Sequence, residues 1–265
     1  MRNNPYFNFI KRDALQMILI LSTIILVNQG LTAVSNIYMA LEPGFDRAIN
    51  MFSQATAFSS MFCFIAGIMF ILKNFSGAIS IRGDRKNFLK AFAVWAIIMS
   101  LSMVVFSTTL EVGLKILTEV ITHKEVTLIS DIPLWIQIAD MEMKNPDITF
   151  MWFIKAIFSR FISSLMLFSL GYMLGSIGYR LKKRTNILVF VVIPVILIGL
   201  LVNSALRMDE FIMNMGVVIC NIIVYLVENQ SLIILISLIC IAIFSLVGTK
   251  LLIKAPTKEY ANDLL

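Results

Sequence analysis

The residues of this chain that could do chemistry are few and scattered. Catalysis calls for a nucleophile beside a base, a pair of carboxylates in a cleft, or a set of metal ligands. The single histidine, His123, stands in a polar stretch between apolar runs. Cys63, Cys220 and Cys240 each lie inside an apolar run and have no paired spacing, so they read as buried free thiols rather than a metal or disulfide framework. No G-x-x-x-x-G-K-[ST] phosphate loop occurs, so ATP hydrolysis by that chemistry is not expected here. Glu111, Lys155 and Arg160 fall toward the ends of their apolar runs. The middle of those runs is thereby left without the titratable group that proton- or sodium-driven carriers place there. No catalytic residue and no metal ligand is predicted, and the substrate-binding residues are unknown.

What the sequence does offer is packing chemistry and a basic segment. Ala55, Ser59, Cys63 and Gly67 recur every four residues and form a groove of small side chains on one helix face; Gly171 and Gly175 repeat the pattern, with Gly178 beyond. Two uses are open: packing within one bundle, or a surface that moves. Asn28, Thr32 and Ser35 form a polar stripe that suits either a pathway or hydrogen bonds to a neighbouring helix. The basic segment is K-N-F-S-G-A-I-S-I-R-G-D-R-K-N-F-L-K, residues 73–90. Topology and anionic headgroups explain its charge. Its Gly77 and Gly83, a capping Asp84, and Phe88 and Leu89 as anchors add up to a short helical elbow that presents basic side chains.

These features need membrane-spanning helices to hold them. The 265 residues are 59% hydrophobic and 14% charged, with a mean hydropathy of +0.89, against about 45–50% and about 25% in soluble domains. At about 1.5 Å per residue a bilayer core takes roughly 20 residues per span. Apolar spans are expected at 14–36, 50–72, 91–113, 152–179, 187–206 and 231–253. The fold class expected is therefore all-α: a single polytopic membrane domain, residues 1–265, of six transmembrane helices, with no room left for a soluble enzyme domain. Residues 1–13, with Pro5 opening a helix, Tyr6, Phe9 and Ile10 on one side and Lys11 and Arg12 beside them, suggest an interfacial helix before the first span. Ala33-Val34-Ser35 loosely resembles a cleavage site, but an uncleaved first helix is preferred.

Fifteen of the 22 Lys and Arg lie in 1–13, 73–90, 180–186 and from Lys250 onward, with only Asp13, Asp84, Glu259 and Asp263 opposing them. That bias predicts these segments, and both termini, on the cytoplasmic side. Residues 114–151 then form an outer acidic cap, with Glu119, Glu125, Asp131, Asp140, Glu142 and Asp147. Residues 211–227 are short for a crossing, and Asn214, Asn221 and Glu228 give them a polar stripe. An outer re-entrant helix is preferred there over a seventh span, which would send Lys250, Lys254 and Lys258 outside.

The interfacial helix, six spans, a basic loop I-R-G-D-R-K-N-F-L-K before span three and a re-entrant helix before the last span together resemble the membrane permease subunit of ABC-2-type exporters of Gram-positive bacteria. The chain is rich in Ile, Asn and Lys, as low-GC Gram-positive proteins are, and within the family it resembles the exporters of amphipathic phenol-soluble-modulin peptides. The resemblance implies that Ser80, Ile81, Arg82, Gly83, Asp84, Arg85 and Lys86 couple to a separate ATP-binding-cassette ATPase. It further implies that ATP and magnesium sit on that partner and no cofactor on this chain. A second permease subunit, identical or homologous, and membrane lipids are the other partners, with no nucleic acid. The location implied is the cytoplasmic membrane of a bacterium, and the cargo an amphipathic or hydrophobic peptide, lipid or drug. The alternatives are an ATP-independent carrier, the substrate-binding membrane subunit of a vitamin importer, and a membrane sensor or immunity protein with the acidic cap as its contact surface.

Overall fold

A computed structural model describes residues 5–41, 49–53, 55–82, 84–130, 150–181 and 229–255. They form α1 (Pro5–Ala40), β1 (Ile49–Ser53), α2 (Ala55–Arg82), α3 (Arg85–Thr122), β2 (Val126–Ser130), α4 (Phe150–Arg180) and α5 (Gln230–Ile253). Among the described residues, five helices are long and apolar enough to cross a membrane. Large apolar side chains such as Leu19, Leu31, Val34 and Leu246 cover the outside of the bundle, a surface suited to lipid rather than water. The chain is thus helical and of multi-pass membrane character. The spans expected at 187–206 and the re-entrant helix at 211–227 lie outside the described residues.

Two expectations are corrected. The separate interfacial helix is absent: residues 5–13 are the opening turns of the 36-residue α1, about 54 Å long against a bilayer core of about 30 Å. Pro5 does open a helix, but no break separates it from the span. The second correction concerns the start of span two. Ile49–Ser53 is a strand, paired in parallel with Val126–Ser130, Ile49 opposite Val126 and Ser53 opposite Ser130. A short apolar run carries no periodicity that separates strand from helix. The segment 73–90 comprises the end of α2 and the start of α3, and α3 runs on to Thr122, so that Leu114, Leu117, Val120 and Ile121 continue its helical period into 114–151.

Side-chain contacts fix the directions of the helices. Tyr6 meets Phe88 with ring centroids 6.0 Å apart, and at the other extremity Lys124 Nζ donates to the Ala40 carbonyl at 2.9 Å, so α1 and α3 run parallel. The α2 helix returns between them, with Lys73 Nζ 2.9 Å from Asp13 Oδ2. Tyr179 of α4 packs edge-on against Phe75 of α2 at 5.0 Å, and Tyr172 and Thr249 share a hydroxyl hydrogen bond of 3.1 Å. Both α4 and α5 therefore run toward the end of the bundle that carries Lys73, Lys86, Lys90, Arg180, Lys250 and Lys254, called here the basic end; the other is the distal end. Arg180 and Gln230 consequently stand at opposite ends.

The core is densest at the basic end. Phe75, Phe88, Phe92, Phe168, Tyr172 and Tyr179 form a continuous aromatic cluster, largely in edge-on or tilted contacts, the arrangement ring quadrupoles favour. Phe88 is fully buried there and Leu89 packs against the cluster.

Candidate functional site

Gly83 and the side chains of Ser80, Ile81 and Arg82 lie outside the described residues. The other three members of the expected coupling segment, Asp84, Arg85 and Lys86, sit where α2 gives way to α3. Asp84 caps α3: its Oδ1 accepts from the Asn87 backbone N–H at 3.1 Å, and its second carboxylate oxygen accepts from the Asn87 side-chain amide. The Asp84 backbone N–H donates to the Tyr6 hydroxyl at 3.2 Å, joining the elbow to α1. Arg85 donates to the carbonyl of Ile253 and so closes the last turn of α5, a placement the negative end of a helix dipole favours. Lys86 and Lys90 are exposed. Near by, the Trp95 indole N–H donates to the Phe7 carbonyl at 3.1 Å while the two rings stack at 4.9 Å. One short elbow is therefore bonded to the start of α1 and the end of α5 and rests on the aromatic cluster.

The row of small residues on α2 begins at Ala55 in a cluster with Leu21, Ile25 and Met103 and reaches a seam with α4 at Gly67. Ala55, Ser59, Cys63 and Gly67 are all buried, and Gly67 faces Gly171 and Tyr172 across the α2–α4 contact. A Cβ on Gly171 would overlap the Phe64 carbonyl, and one on Gly175 would stand 3.0 Å from Ile68 Cα. Here glycine is required because two backbones touch. Toward the distal end the same seam carries the Ser60–Ser164 hydroxyl contact at 3.1 Å.

A second polar locus lies in the distal half of the bundle. Arg160 of α4, 3% exposed, places its Nη1 2.6 Å from Glu111 Oε2 of α3, itself 0% exposed, and also donates to Thr108 Oγ1 at 3.0 Å. Lys115, buried, reaches Glu119 Oε1 at 3.7 Å. Along α3 the inward residues change character: Phe88, Phe92, Trp95, Met99 and Met103 in the basic half give way to Ser107, Thr108, Glu111, Lys115, Thr118 and Thr122. The outward residues of that half, Ile116, Leu117, Val120 and Ile121, are apolar. Water-soluble patterning is inverted, polar in and apolar out.

No family model, curated protein or solved structure matches the chain.

Sequence reasoning treated Glu111 and Arg160 as groups near span ends. In the structure they are enclosed and paired. The usable signal is the spacing of Thr108, Glu111, Lys115, Thr118 and Thr122, alternately three and four apart, which puts these five on one face of distal α3. His123 is exposed in the left-handed region with φ 52°, its N–H donating to the Glu119 carbonyl at 2.9 Å, so it ends α3. Among the described residues no group of three or more His, Cys, Asp or Glu side chains is placed to hold a metal ion.

Proposed function

We propose that this chain is the membrane permease subunit of an ATP-driven, ABC-2-type exporter. Two such subunits, identical or homologous, act in a bacterial cytoplasmic membrane and move an amphipathic or hydrophobic substrate outward. A separate ATPase, holding ATP and magnesium, docks at the elbow. The reading rests on one observation: the elbow between α2 and α3 is tied both to α1 through Tyr6 and to α5 through the Ile253 carbonyl. A partner seated on Lys86 and Lys90 would therefore push on four helices at once. The partner's differential affinity for two arrangements of those helices supplies the drive.

Six spans belong to this proposal. Arg180 and Gln230 stand at opposite ends of the bundle, so one further crossing, placed at 187–206, returns the chain, and 211–227 stays on the distal side. With the basic end cytoplasmic, both termini are cytoplasmic as well.

The test is gentle purification of the tagged protein from its own membrane, with the stoichiometry of whatever soluble chain accompanies it. The expected result is an ATPase near one-to-one, lost in the Arg82→Glu/Lys86→Glu variant while the bundle remains folded. Arg85 is left intact in that variant because it holds the end of α5. A protein that emerges alone and binds a small molecule tightly would overturn the proposal in favour of a carrier or the binding subunit of an importer.

A further inference from the structure

The Glu111–Arg160 pair and the polar face of distal α3 go beyond what a docking elbow explains. Enclosing two charges is costly, and well-packed apolar side chains of similar size generally hold a core at least as well. Ionisable groups inside membrane spans face the bundle interior and mark places that meet water or ligand. The surroundings of the pair are graded. On its basic side α3 turns Met103, Val104 and Met99 inward with one hydroxyl, Ser100, among them; on its distal side it turns Lys115, Thr118 and Thr122 inward, up to the exposed His123. Thr118 and Thr122 direct their hydroxyls back to the carbonyls of Leu114 and Thr118 at 2.8 and 2.7 Å, so in this arrangement those two hydroxyls are satisfied without water. If α4 moved off distal α3, the separated charges would be exposed to solvent along a strip already furnished to hydrate it, while the methionines below would stay dry.

We infer that the distal interior between α3 and α4 is a closed aqueous vestibule and that Glu111–Arg160 is the latch that keeps it shut. Neutralising Glu111 breaks the ion pair that joins α3 to α4 and lets water in from the distal end. Exchanging the two charges restores the latch. The vestibule serves any movement of the bundle, whichever partner drives it, so its test needs no ATPase and can fail independently of the exporter proposal.

The test uses the full chain in detergent or liposomes, with its three native cysteines replaced by alanine and one cysteine introduced at Thr118 or, in a second protein, at Met99. Both positions are buried, one distal to the pair and one on its basic side. Reaction with a membrane-impermeant maleimide is timed in each. The expected result for Glu111→Gln is that labelling at position 118 accelerates by about tenfold or more, a coupling of the size that joins two states in switching proteins, while position 99 stays at its parental rate. The exchange Glu111→Arg/Arg160→Glu should return position 118 to the parental rate. Unchanged labelling at 118 overturns the inference, and so does no return on charge exchange. Equal acceleration at 118 and 99 also overturns it, because general loosening would make the pair a structural tie alone.

Discussion

Arg85, in the first turn of α3, donates to the carbonyl of Ile253, the last residue of α5, across 168 positions of sequence. A side chain expected to meet a partner is thus committed within the chain, and the tasks of the basic segment divide: Arg85 closes α5, whereas Lys86 and Lys90 face outward. Arg85→Ala should loosen the last turn of α5 by about 0.3–1 kcal/mol. Faster amide exchange at 250–255, with none at α2, is the expected reading. Equal protection in both proteins would mean that Arg85 does not hold that end.

Asp84 separates capping from charge. Asp84→Ala should cost about 0.5–2 kcal/mol, and Asp84→Asn, whose amide oxygen caps equally well, should cost little. Thermal unfolding of the two variants in one detergent checks this. Equal losses would show that the negative charge, not the cap, matters.

The glycines supply an internal control. Gly171→Ala drives a methyl into the Phe64 carbonyl and should cost about 1–3 kcal/mol or more, whereas nothing lies within 4 Å of a Cβ on Gly113. Gly113→Ala should therefore be neutral or stabilising by up to about 1 kcal/mol. Unfolding in graded detergent ranks the two, and a Gly113 variant as damaged as that of Gly171 would contradict the seam.

Tyr172 joins α4 to α5 through its hydroxyl contact with Thr249 and lays its ring against Gly248. Tyr172→Phe keeps the ring and should lose about 0.6 kcal/mol, the average for a hydrogen bond between membrane helices. Gly248→Ala crowds the ring and should lose more. The order of the two losses in a thermal scan is the check.

Much of this architecture is legible in the sequence, and the remainder fails for identifiable reasons. The apolar runs at 14–36, 91–113, 152–179 and 231–253 all fall within α1, α3, α4 and α5, because backbone satisfaction in lipid leaves a long apolar run little choice but helix. A residue such as Asp84 announces its cap by type and position. Periodicity also places Ala55, Ser59, Cys63 and Gly67 on one face. It cannot tell that this face meets Gly171, because that depends on how one helix is rotated against another. The same blindness hid Glu111 and Arg160: 49 residues apart, they look like span-end charges until two helix rotations bring them face to face. Ile49–Ser53 was misread because its pairing partner lies beyond two helices and a short apolar run looks the same in either state.

The backbone contact at Gly67 and Gly171 has a mechanical meaning once the β1–β2 ladder is considered with it. The ladder joins the start of α2 to the end of α3 and so ties these two helices at the distal end, whereas α4 is held there by side chains: Ser164 on Ser60 and Arg160 on Glu111. Were α4 to pivot where its glycine touches α2, it would be a lever with Arg160 about 16 Å along one arm and Tyr179 about 12 Å along the other. A tilt that draws Arg160 off Glu111 swings Tyr179 in the opposite sense, over a distance shorter by about a quarter. The fulcrum is a pair of hydrogen atoms, and any side chain placed there would jam the lever.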